Sequence, residues 1–93
     1  MNILINIKNI IKRGMIFMSK LITGNGGNIE LKNLAVNYAS CIVTGYKTFA
    51  KSPRVLKSDI AVALIIWGYE DLVTIESYVD EAKQRITEAE TNM

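Results

Sequence analysis

The sequence predicts an all-α protein: a small three-helix bundle, or a helical hairpin with a trailing helix. Three observations lead there. Leu31, Leu34, Ala35, Tyr38, Ala39 and Ile42 recur at i, i+3, i+4, i+7, i+8 and i+11, the spacing of one helix face. Ser52-Pro53 and Gly68 bracket a second apolar segment with a start signal and a stop signal. Ile75, Tyr78, Val79, Ala82, Ile86 and Ala89 then share a face of a third segment, in which Glu76, Asp80 and Glu81 precede Lys83 and Arg85 as the helix dipole favours.

Taken in order, residues 1–17 form an N-terminal extension. On a helical wheel Ile3, Leu4, Ile7, Ile10 and Ile11 lie opposite Asn2, Asn6, Asn9, Lys12 and Arg13. That pattern predicts an amphipathic helix able to lie on a membrane or dock on a partner. A second reading stands beside it. Met18-Ser19-Lys20 resembles a natural start, which would place residues 1–17 upstream of the working protein. The order of charged and apolar residues does not fit a secretory signal. No run approaches the roughly 18–20 apolar residues of a transmembrane helix.

Residues 18–28 read as a flexible Gly/Asn linker, and residues 29–93 as a single helical domain. Asn28 is placed to cap a first helix over about 29–44, with Gly45 just past its end. Tyr46 to Lys51 connects to a second helix over about 53–67, where serine caps and proline takes the first turn. Its second half, Ile60 to Trp67, is apolar all round and must be covered on every side. Residues 68–74 connect to the third helix, with Thr74 as its cap.

Composition narrows the chemistry. The chain has 93 residues, one cysteine and no histidine. Those counts exclude an intrachain disulfide, Cys/His zinc sites and every nucleophile pair that needs histidine. Glu76 and Asp80 stand at i, i+4, the spacing of an acid–base pair, but on a polar helix face they read as solvated charge. Glu70-Asp71 reads the same way. The stretch from Thr23 to Asn28 could cradle phosphate ahead of a helix, yet it lacks the lysine and hydroxyl of a P-loop. Cys41 has no activating neighbour and reads as a boundary thiol. No catalytic residue, metal ligand or cofactor follows, and the expectation is a protein that is not an enzyme.

The net charge of +2 conceals a split: residues 1–57 carry +8 and residues 58–93 carry −6. One reading is a head-to-tail device in which the basic end of one copy meets the acidic end of another. The other is a nucleic-acid contact by the connector, where Tyr46, Lys47, Phe49, Lys51, Arg54 and Lys57 combine phosphate-binding charge with stacking aromatics. For protein contact, the candidate interface is Ile60, Leu64, Ile66, Trp67, Tyr69 and Leu72, since a small bundle can hardly cover that apolar segment alone. Self-association into a homo-oligomer is the expectation, alone or with another protein.

Residues 38–49, YASCIVTGYKTF, followed by Ser52-Pro53-Arg54-Val55-Leu56-Lys57 and Ile60-Ala61, carry a resemblance. A tyrosine, an apolar pair, G-x-K-T, a proline-led V-L-K and a short helix ending in glycine are similar to the XkdX-like small proteins of phage tail modules. The resemblance covers about residues 35–69. It implies a phage or prophage tail operon of a low-GC Gram-positive bacterium, and the abundance of isoleucine, asparagine and lysine suits AT-rich coding. It implies no catalytic residues. The expected role is a minor tail component or a tail-fibre assembly helper. The expected place is the cytoplasm of the bacterial host or the virion or tail particle. Alternatives are a nucleic-acid-binding regulator using the connector, or a phage counter-defence protein that binds a host protein or a nucleotide signal.

Overall fold

Ile29 and Leu31 point into the core while Glu30 between them faces water, an alternation with the period of a strand. The computed structural model describes residues 18–91, and over this range the all-α expectation is overturned. A two-stranded antiparallel hairpin, β1 (Met18–Ile22) and β2 (Asn28–Lys32), precedes α1 (Asn33–Val43), α2 (Arg54–Ile66) and α3 (Glu76–Thr91). A short 3₁₀ turn, Glu70–Leu72, lies between the last two helices. The fold is small and mixed α/β. The amphipathic helix expected in residues 1–17 lies outside the described residues.

The stretch read as a linker is therefore structured. Its register pairs Leu21 with Ile29 and Ser19 with Leu31 on the covered face, and sets Lys20 across from Glu30 on the open face. The loop from Thr23 to Gly27 is a tight turn. The Thr23 N–H donates to the Gly27 carbonyl at 2.7 Å, and the Gly26 N–H donates to the Thr23 carbonyl at 3.0 Å. Gly26 takes φ +89°, a left-handed position that suits glycine. The glycines that suggested slack instead make a hairpin possible.

The helical stripe starting at Leu31 was partly a coincidence of spacing. Leu31 is buried from a strand, Leu34 is exposed, and Ala35, Ala39 and Ile42 form the true inner face of α1. Asn28 thus lies in β2 rather than capping a helix, and α1 begins four residues later than expected. Two other caps also move. Pro53 occupies the N-cap position of α2, while the Ser52 hydroxyl donates to the Phe49 carbonyl at 2.6 Å. Thr74 stays outside α3, which begins at Glu76 with the Ile75 carbonyl accepting from Tyr78 N–H at 3.0 Å.

The two glycine stops fall where expected. Gly45 and Gly68 take φ +86° and +90°, and each reversal satisfies the last carbonyls of the helix before it. Between Pro53 and Gly68, the side chains from Ile60 to Leu64 are fully buried. Three helices would leave part of α2 bare. The hairpin supplies the missing cover through Ile29 and Leu31, joined by Ala35, Ala39, Phe49, Val73 and Ala82 from the other elements.

An isolated two-stranded hairpin is marginal in water, so this one depends on its anchors. Asp59 on α2 accepts from the Lys32 N–H at 2.8 Å with one carboxylate oxygen and from Arg85 on α3 at 2.8 Å with the other. One carboxylate thereby ties β2, α2 and α3 together. At the far end, the Asn25 N–H donates to the Glu90 carboxylate at 3.2 Å. Gly27 lies so near α3 that a Cβ there would stand 2.8 Å from the Ala89 carbonyl oxygen. No described helix is long and apolar enough to cross a membrane.

Candidate interaction surface

The six apolar residues singled out as an interface separate into two groups. Ile60 and Leu64 are fully buried in the chain's own core, and Ile66 and Leu72 are half-buried against it. Trp67 and Tyr69 reach the surface at 36% and 40% exposure. Local geometry holds this aromatic corner still. Trp67 N–H donates to Ala63 O at 3.0 Å, and across Gly68 the Tyr69 N–H returns to Leu64 O at 2.8 Å. Both acceptors belong to residues buried completely, so the backbone that carries the aromatics is anchored to the core.

Directly after this corner the chain forms an open groove of about 630 Å³. Val73 and Val79 supply apolar lining, and Glu70, Asp71, Glu76 and Asp80 supply carboxylates. Lys83 is the only cation lining it, and its ammonium is paired with Glu70 at 3.0 Å. The acids that read as isolated solvated charges in sequence are thus brought together by the turn into α3. Among the described residues, no group of three His, Cys, Asp or Glu side chains is placed to hold a metal ion.

The basic connector also divides. Phe49 is buried and meets Tyr78 edge-on, with ring centroids 5.7 Å apart. Lys57 is only 8% exposed, and its ammonium donates to the carbonyls of Ala50 at 3.0 Å and Ser52 at 2.7 Å. It also lies 5.4 Å from the Phe49 ring centroid, a cation–π distance. These two residues lock the connector onto the fold. Tyr46 stands 85% exposed, with Lys47, Lys51 and Arg54 also at the surface. Lys47 lies 5.4 Å from the Tyr38 ring centroid.

The Gly-rich loop does not offer a phosphate cradle. It precedes a strand, and the N–H groups of Asn25, Gly26 and Gly27 all donate within the chain. Cys41 is a half-buried free thiol. Ile22, Leu34 and Val55 are exposed, although Leu34 and Val55 are expected on inward helix faces. Leu34 was hidden by its place in the apparent stripe, and Ile22 by the linker reading.

This is a small α/β protein with a rigid aromatic corner, an acidic groove beside it in the chain, and a basic connector. No protein-family model, no curated protein and no solved structure matches it.

Proposed function

We propose that the chain is a non-enzymatic protein that acts by protein–protein contact, self-associates, and serves a phage or prophage tail module as a minor component or fibre-assembly helper. The observation that carries the contact reading is the Trp67–Tyr69 corner. Rigid aromatics lose little conformational entropy when a partner covers them, which is why such anchors dominate interface energetics. The resemblance of residues 35–69 to XkdX-like proteins supports the tail setting. Its place would be the host cytoplasm or the tail particle.

A nucleic-acid regulator is the second reading, favoured by Tyr46 at 85% exposure amid Lys47, Lys51 and Arg54. It has lost Phe49 and Lys57 to the fold, which leaves three cations and one aromatic for the contact.

Size-exclusion chromatography with light scattering, read at 260 and 280 nm on the full chain, separates the two. The expected result is a defined oligomer without excess 260 nm absorbance. Trp67→Ala with Tyr69→Ala should weaken it by roughly 30-fold, the consequence of losing about 2 kcal/mol at an anchor, with the helical circular dichroism retained. Co-eluting nucleic acid that salt strips off would overturn the contact reading in favour of the regulator.

A further inference from the structure

Among the described residues the ion pairs are Lys83–Glu70 and Arg85–Asp59. Lys47, Lys51 and Arg54 on the connector form none, and neither do Asp71, Glu76 and Asp80 in the groove. One chain therefore displays two unpaired faces of opposite sign. Each also has apolar material to bury: Tyr46 on the connector and the half-buried Val79 in the groove.

We propose that the groove between the 3₁₀ turn and the start of α3 receives the 46–54 connector of a second copy. Lys51 and Arg54 meet Glu76 and Asp80, and Tyr46 covers Val79. This rests on the self-association reading and gives it a geometry. Complementarity selects the occupant, because the chain carries the counterpart of its own groove. A two-fold pairing through either face would set like charges against each other, which opposes association. The two surfaces differ, so each contact joins the connector of one copy to the groove of another. Made reciprocally, such contacts give a two-fold pair; made in succession, they close into a ring or extend as a filament. The charges are exposed, so the assembly weakens as salt rises and the screening length falls to about 8 Å at physiological ionic strength.

Two variants test this. Lys51→Glu with Arg54→Glu reverses the connector and keeps the groove; Glu76→Lys with Asp80→Lys does the opposite. Light scattering and sedimentation at low salt should show each variant alone weakened at least tenfold and monomeric at concentrations where the wild type assembles. Mixed in equal amounts, they should co-assemble in alternation, since the intact groove meets the intact connector and the reversed, acidic connector meets the reversed, basic groove. Circular dichroism checks folding, and Glu76→Gln with Asp80→Asn replaces the lysine pair if that variant unfolds. A mixture that stays monomeric, or either variant assembling as the wild type does, would overturn the head-to-tail contact. Wild-type oligomers indifferent to every reversal would discard this interface and leave self-association standing. A wild type that is monomeric at low salt and high concentration would remove both.

Discussion

Of the thirteen residues of α2, six are buried, five of them consecutive; of the sixteen in α3, only Ala82 is buried. The two helices pack against each other, and the difference lies in what holds each one. α2 is surrounded, and its apolar segment is held by contact on every side, a force without direction. α3 offers a single apolar edge and is positioned by directed contacts: Arg85 to Asp59, Lys83 to Glu70, and the approach of Gly27 at its end. A helix held by burial tolerates many orientations; directed contacts choose one. The groove depends on that choice, because its acids come partly from α3 and partly from the turn before it.

The largest test of the comparison removes burial from α2. Leu64→Ala should cost about 2–5 kcal/mol, the range for a fully enclosed leucine, read as a shift in urea midpoint at constant slope. A loss well under 1 kcal/mol would mean that α2 is not the enclosed centre described here. Next comes the directed set. Asp59→Ala leaves the Lys32 N–H without its partner and Arg85 with only the Ser58 hydroxyl, and should cost about 2 kcal/mol. Hydrogen exchange should speed up in α3 and β2 more than in α1; uniform acceleration would deny Asp59 its role as a local tie. The smallest effect belongs to Lys83→Ala. That pair is about half exposed on both sides, so thermal unfolding should register less than about 0.5 kcal/mol. A larger loss would show that the groove's only cation holds the turn in place.

The helices were largely legible in the sequence, because their stops are local chemistry. Gly45 and Gly68 end helices by left-handed backbone that other residues resist, wherever the chain then goes. The hairpin was not. Five residues of alternation in Asn28–Lys32 are too few to outweigh a helical stripe that Leu31 and Leu34 extended by accident. The site divided along the same line. Trp67 and Tyr69 reach the surface where an apolar helix runs into aromatics, a pattern visible in one dimension. Lys57 was misread because an ammonium that caps two carbonyls in the interior is a tertiary fact. The groove likewise exists only once the chain has turned into α3.

The contact of the 23–27 turn with the end of α3 bears on how the molecule is made. Asn25 and Glu90 are 65 positions apart, while the other side-chain hydrogen bonds of the hairpin reach no farther than α2. Closing a long span costs entropy that grows with the logarithm of its length, and the reward arrives only when both ends are present. During synthesis β1 and β2 emerge before α1, α2 and α3, yet one end of their turn has nothing to rest on until the last turns of α3 exist. The earliest strands of the described fold are among its last parts to be locked.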